Sequence, residues 1–377
     1  MKLRPKTTIY EHFSDLKDPR VDRSKLHKLI DIITITICAV ISGADTWVDI
    51  ELYGKTKYKW LNKFLELPNG IPSHDTIARV FAKLETEQLQ QCFLKWVQSI
   101  SQVTFGEIVA IDGKTLRHSY DKSSDKAAIH MVSAWATANR LVLGQVKVDE
   151  KSNEITAIPK LIKVLELSGC IITIDAMGCQ KEIVKQIVAK EADYLITLKK
   201  NQAYLYERVE KIVNTLPLSR LKNLTISQYL QSETGHNREE HRYYQMLSNV
   251  KETIDPNGEW EKLNSIGWVD YWRKEKDGKT SFERRYYISS LPNNAELLAK
   301  AIRQHWCIEN QLHWVLDVQF LEDDSRIRKD NAPENLAIIR QIALNLLKQE
   351  STEKTGIKTK RKKAGWDNDY LLKVLGF

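Results

Sequence analysis

Apolar positions follow two different periods along the chain, and the change falls just before Phe105. Up to that point hydrophobic residues recur at helical spacing. Leu26 to Ile41 reads as a helix by length and period, with a strand as the competing reading because so many of its residues are β-branched. Gly43 breaks it. Asp45 is placed to cap a second helix through Tyr53, Lys57 to Leu65 forms a short third, and Pro68-Asn69-Gly70 is a turn. Ser73 is a candidate N-cap for a helix through Lys83 that carries apolar Ile77, Val80 and Phe81. Thr86 opens the last helix, which continues to Ile100.

From Phe105 the apolar residues gather into short runs. Glu107 to Asp112, Ile129 to Ala136 and Leu141 to Val148 read as three strands, with Asn139 in the turn between the last two. A helix follows from about Asn153 to Leu167, then a strand Ile171 to Asp175, a helix Gln180 to Lys190, and a strand Tyr194 to Leu198. The order βββαβαβ is that of a ribonuclease H-like mixed sheet in an α/β core, a match of fold alone. Residues 201–290 are less regular and read as an inserted, partly β subdomain. A helix rich in Ala and Leu begins near Ala295 and carries Arg303 to Phe320. Asn335 to Glu350 is amphipathic, 354–363 (KTGIKTKRKK) is a basic loop-like run, and Trp366 to Leu375 closes the chain as a short helix. The expected domains are a helical region 1–101, a core formed by 102–200 and 291–350, the insertion 201–290, and a basic segment 351–377.

Composition narrows the setting. The 377 residues suffice for two or three domains. A formal charge of +8, from 57 basic and 49 acidic residues, is compatible with a polyanionic partner without requiring one. The start lacks the apolar segment of a signal peptide, and the run Leu29 to Ala44 is too short and too polar for a membrane span. Five scattered cysteines show no zinc spacing. A cytoplasmic protein is expected.

The chemistry suggested by the pattern lies in acidic residues. Asp112 and Asp175 each end an apolar strand and stand near a glycine, Gly113 and Gly178. If the two strands are adjacent and parallel, the carboxylates converge, and two or three clustered carboxylates can hold Mg²⁺. The plainer reading is that each aspartate caps a turn. A third carboxylate is expected from a helix across the sheet. Glu309 is the choice, in a helical stripe with Ile302, His305, Trp306, Leu312, His313 and Leu316, where an unpaired charge is costly. Glu322, Asp323 and Asp324 compete for this role, and Asp317 more weakly. His313, one turn after Glu309, suits a hydrogen bond to phosphate or to a metal-binding carboxylate, since the two-histidine zinc arrangement is missing. Lys114, Arg117, Lys199, Lys200, Arg326 and Arg328 would cluster near such a site and could meet phosphates. Arg238, flanked by His236 and His241, lies in a polar segment of the insertion that reads equally as a surface loop or a DNA-contact loop, and Arg303 is the nearest basic residue upstream of Glu309; both are DNA-contact candidates. The N-terminal helices could form a helix-turn-helix unit for DNA ends or a packing module, and no recognition helix stands out.

The segments AIDGKTLR, TIDAMGCQKEI, GIPSHDTIARVF and HWCIENQLHWVLDVQFLEDDSRIRKDNAPENLAIIRQIALNLLK together resemble DDE-type insertion-sequence transposases, closest to the H-repeat-associated proteins of bacteria. The resemblance covers essentially the whole chain. It implies a ribonuclease H-like core in which Asp112, Asp175 and Glu309 are both catalytic and metal-binding, with two Mg²⁺ expected and Mn²⁺ able to substitute. It implies double-stranded DNA as partner, as terminal inverted repeats and target DNA, cut and then joined through a 3′ hydroxyl, with a homodimer forming the synaptic complex and no membrane involved. Related enzymes carry an Arg four residues before the Glu and a Lys seven after it. Here these positions are His305 and Leu316, so the residues that hold the terminal phosphate are open. His305 and His313 join the DNA-contact candidates. The alternatives are a metal-dependent endonuclease that does not join, or a domesticated transposase-derived protein that only binds DNA.

Overall fold

A computed structural model describes residues 8–101, 104–120, 127–149, 152–215, 226–235 and 238–376. His236 lies outside them. Among the described residues nine strands form one sheet, numbered in chain order: β1 (Ile108–Leu116), β2 (Ile129–Ala136), β3 (Leu141–Lys147), β4 (Ile171–Ile174), β5 (Asp193–Leu198), β6 (Ile226–Gly235), β7 (Arg238–Ser248), β8 (Ser265–Glu275) and β9 (Thr280–Ser289). Their spatial order is β3-β2-β1-β4-β5-β9-β8-β7-β6. Parallel pairing joins β1 to β4 and β4 to β5, and the remaining neighbours are antiparallel.

The βββαβαβ order is present, with helices Glu154–Val164 and Lys181–Ala189 as crossovers. The inserted segment does not stand apart as a separate sheet. Its last strand, β9, pairs with β5 from Leu195↔Ser289 to Leu198↔Tyr286, so β6 to β9 continue the core sheet. The outer strand β3 is closed by side chains that mimic a further strand. Buried Asn345 accepts from the Val142 N–H at 2.9 Å and donates to the Val142 carbonyl at 3.0 Å. This satisfies backbone groups that would otherwise invite pairing.

The N-terminal helices pack onto the same core. Leu29–Ile41 is a helix despite its β-branched content, because apolar residues surround its whole circumference and nearly all of it is buried. Its Asp31 accepts the Leu67 N–H at 3.1 Å. The next helix, Trp47–Thr56, is capped by Thr46 in a capping box with Asp49, and not by Asp45. Asp45 instead faces the buried Arg361 guanidinium at 3.4 Å. Ser73 caps His74–Lys83 as expected. The hub is the helix Ala332–Gln349, which is buried along most of its length. From it, Asn335 donates to the Phe81 and Leu84 carbonyls at 2.8 Å, closing the C-terminal end of His74–Lys83.

The basic run at 354–363 is not a loop. Ile357–Trp366 is a helix, and two of its cations are buried. Lys360 donates to the Leu347 carbonyl at 3.0 Å, and Arg361 donates to the Val40 carbonyl at 2.9 Å and lies over the Phe320 ring. These charges hold the C-terminus to the helical layer. No helix among the described residues is long and apolar enough to cross a membrane.

Candidate metal centre

The site forms where β1 and β4 part. Their parallel register ends at Ile111↔Ile174, so Asp112 and Asp175 are the next residues on adjacent strands. Side chains alternate along a strand. Asp112 therefore shares its face with Ile108, and Asp175 with Ile171 and Thr173. That face is covered by helix Ala295–His305, whose Leu298 and Ile302 pack in one cluster with Ile108 and Ile171. β1 does not end at Asp112, as its apolar run suggested. It continues to Leu116, held by β2 alone. Loss of the β4 neighbour opens the space that the carboxylate faces.

The third carboxylate arrives on a distorted helix. The expectation was one continuous α-helix from Arg303 to Phe320. Instead Ala295–His305 ends, Glu309–His313 forms a π-helical turn, and Trp314–Phe320 resumes as α-helix. Glu309 is consequently half-exposed, with 51% of its side chain accessible, and not buried in an apolar stripe. π-turns recur at functional sites because they shift side chains off the regular helical rows. Here the turn brings Glu309 and His313 to Asp112. Ligand atoms of these three residues all lie within 4.8 Å of one another. Asp175 stands beside this trio and not in it. Its Oδ1 accepts from the Met177 and Gly178 N–H groups at 3.0 and 3.4 Å, so the turn-capping reading of this residue is realised as well.

The electrostatics are those of crowded anions. Burial pushes the Asp112 carboxyl up to about 8, with Glu309, Glu154 and Asp175 adding to the rise. Asp175 is raised too, by burial and then by Glu154, while Lys199 acts in the other direction. Carboxyls raised by burial and by one another mark a place that favours positive charge. The donor set of two oxygens and an imidazole fits a divalent cation.

Glu154 was not singled out from the sequence. It follows the N-cap Asn153, and its Oε1 lies 2.7 Å from His130 Nε2, whose Nδ1 is 2.8 Å from Thr115 Oγ1. A Cβ at Gly113 would come within 2.1 Å of Glu154 Oε1 and 2.5 Å of His130 Nε2. The glycine after Asp112 thus makes room for this pair. A glycine directly following a strand aspartate was the available signal.

The basic candidates separate. Lys114 is not free to meet a phosphate. Its ammonium is buried against Asp317 and Glu322, the latter at 2.7 Å, with Asp323 at 3.9 Å. This arrangement also occupies Glu322, Asp323 and Asp317, the competitors of Glu309. Asp324 is exposed. Arg117 is exposed and 3.2 Å from Asp323. Lys199 lines a cleft of about 190 Å³ with Asp175, Thr173 and His305, and Lys200 is exposed just beyond it. His305 Nδ1 is 3.0 Å from Thr173 Oγ1, and burial holds its imidazole down near 4, so it is neutral at ordinary pH. Arg303 pairs with Glu233 at 3.0 Å and lines a groove with Arg242, Arg285 and Trp306. Arg238 sits at the tip of β7, opposite Gly235, paired to Glu240 at 2.6 Å, with β5, β9 and β8 between it and β4. Arg326 and Arg328 face a different groove of about 970 Å³, shared with Arg79 and Lys329. Arg328 donates to the His118 carbonyl at 3.0 Å and lies over Tyr120.

Two family sequence models match the chain. The one described as "Transposase DDE domain" matches residues 104–346, and "DDE_Tnp_1-associated" matches residues 10–97. The "H repeat-associated putative transposase YhhI" of Escherichia coli K12 is 44% identical over 370 residues, covering 97% of each chain. "Putative transposase YncI" of Escherichia coli O157:H7 is also 44% identical, over 98% of this chain and 94% of its own. Among solved structures, a piggyBac transposase synaptic complex with hairpin DNA aligns over 99% of this chain and 78% of that one, with a TM-score of 0.45 and 12% identity. That likeness is too slight to build on.

Proposed function

Because this chain belongs to the DDE transposase family, in its H repeat-associated group, we propose that it cuts double-stranded DNA at the ends of an insertion element and joins the freed 3′ hydroxyl to target DNA. The observation that carries this reading is the meeting of Asp112 and Glu309 beside Asp175, where burial and the neighbouring carboxylates push the Asp112 carboxyl well above its ordinary range.

Asp112, Asp175 and Glu309 are the proposed ligands of two Mg²⁺ ions, or of Mn²⁺ in their place, with Asp112 shared between them. When bound, such cations supply the Lewis acidity that activates a water or a 3′ hydroxyl and the positive charge that offsets attacking and leaving oxygens. The chain's own groups do the remainder. The β1–β4 pairing fixes the separation of the two aspartates, and the π-turn sets Glu309 against Asp112. Lys199, in the cleft beside Asp175, is the cation best placed to hold a phosphate of the scissile strand. Neutral His305 contributes a hydrogen bond and no charge. Lys114 is a strut: it pairs with Asp317 and Glu322, and so makes a second acidic cluster less able to draw the ions away.

The groove shared by Arg79, Arg326, Arg328 and Lys329 joins the helical region to the core and suits the backbone of the terminal repeat. Action on two DNA ends calls for a homodimer, working in the bacterial cytoplasm on the nucleoid.

The test is incubation of the full chain with Mg²⁺ and duplexes that carry the element's ends. Cleaved and joined products that disappear in Asp112→Asn, Asp175→Asn and Glu309→Gln are expected. Cleavage without joining would make the protein an endonuclease, and DNA binding without cleavage a transposase-derived binding protein.

A further inference from the structure

A site built from carboxylates alone leaves His313 without a purpose, yet this imidazole is the most enclosed group in it. Its side chain is 7% exposed, against 17% for Asp112 and 51% for Glu309. Nδ1 lies 3.6 Å from Asp112 Oδ2 and 3.4 Å from Glu309 Oε2. Both separations exceed the N–H···O range of about 2.7–3.2 Å. Nε2 is buried and has no hydrogen-bond partner among the described residues. The one contact that resembles a hydrogen bond, to Glu309, is long.

Spacing of this kind suits donors arranged around a small cation. With bonds of about 2.1 Å, neighbouring ligand atoms stand about 3.0 Å apart in an octahedron and about 3.4 Å apart in a tetrahedron. The backbone is consistent with this. Glu309 and His313 are the first and last residues of the π-helical turn, so the distortion sets both side chains at once. Asp175 stays outside the trio and spends Oδ1 on its own turn. Two ions bound here would therefore not be equivalent.

We propose that His313 is a direct ligand, through Nδ1, of the ion that Asp112 and Glu309 hold, and that this ion occupies a site formed before DNA arrives. The inference rests on the divalent-cation reading above. Asp112 and Asp175 would hold the second ion with fewer protein donors, and a substrate phosphate would complete its shell. A nitrogen donor moves the first site's preference from Mg²⁺ toward Mn²⁺ and later first-row ions, because imidazole suits these better than it suits Mg²⁺.

Pulsed electron paramagnetic resonance of the full-length, DNA-free protein with Mn²⁺ tests this, using chain labelled with ¹⁴N- or ¹⁵N-histidine. Expected is the coupling of a directly bound imidazole nitrogen, changed by the isotope, lost in His313→Asn and kept in His305→Asn. Mn²⁺ affinity should fall at least about 10-fold in His313→Asn, and His313→Asp should lower the preference for Mn²⁺ over Mg²⁺. Bound Mn²⁺ with no direct nitrogen coupling in the unsubstituted protein would overturn the role of His313 and leave the carboxylate site standing. Absence of Mn²⁺ binding without DNA would overturn the pre-formed site, and absence of binding with the DNA ends present, or binding unchanged by Asp112→Asn, would overturn the cation reading itself.

Discussion

Replacing Asp112 by Asn should make the metal-free protein more stable at alkaline pH. The carboxyl is raised from 3.8 to about 8 in the fold, so between those values the folded chain binds a proton that the unfolded chain has released. Stability then falls as pH rises, at about 1.4 kcal/mol per unit while the difference lasts. From about pH 6 to about pH 8 the loss comes to about 2 kcal/mol, because the slope has halved by the time the folded group is half ionised. Asparagine keeps the shape and never ionises. Urea unfolding in EDTA at the two pH values measures the effect, with the variant correcting for every other titrating group. The unsubstituted chain should lose about 2 kcal/mol more than Asp112→Asn across this window, and saturating Mn²⁺ should abolish the difference by stabilising only the unsubstituted chain. Equal pH slopes, or a variant less stable at about pH 8, would refute the argument that Asp112 lies in an uncompensated anionic site.

Other outcomes follow from the same geometry. Lys114→Met leaves Asp317 and Glu322 facing each other unpaired, so thermal unfolding should report a loss of about 3–5 kcal/mol, while the salt dependence of DNA binding stays unchanged. Arg79→Ala with Arg326→Ala should weaken DNA binding evenly across sequences and lower the slope of log affinity against log salt by about one per lost phosphate contact, read by fluorescence anisotropy. Asn345→Ala strips both amide partners from Val142 on β3 and should cost about 1–3 kcal/mol for each group left unsatisfied, measured by urea denaturation.

Much of the core was legible in the sequence because its signals are local. Short apolar runs closed by turn residues gave β1 to β5, and Ser73 and Asn153 cap the helices they precede. The two aspartates could be paired because a parallel crossover brings like strand ends together. Contacts made from afar were not legible. Nothing in a local pattern tells that β9 joins β5 and so turns an insertion into four more strands, or that Arg361 sinks against Asp45. The π-turn was hidden for another reason: helical periodicity assumes a regular repeat, and one wide turn changes which residues share a face. That is why Glu309 was read into an apolar stripe, and why His313 counted for less than its position warrants. Lys114 was misjudged because a lysine beside an aspartate looks the same whether it serves a ligand or a strut.

Divalent cations should bind where β1, β4 and the π-turn meet. Anomalous diffraction from crystals soaked in Mn²⁺ tests it directly. A peak bounded by Asp112 and Glu309 is expected, with a second one toward Asp175 when DNA is present. A peak among Asp317, Glu322 and Asp323, or none near Asp112, would contradict it.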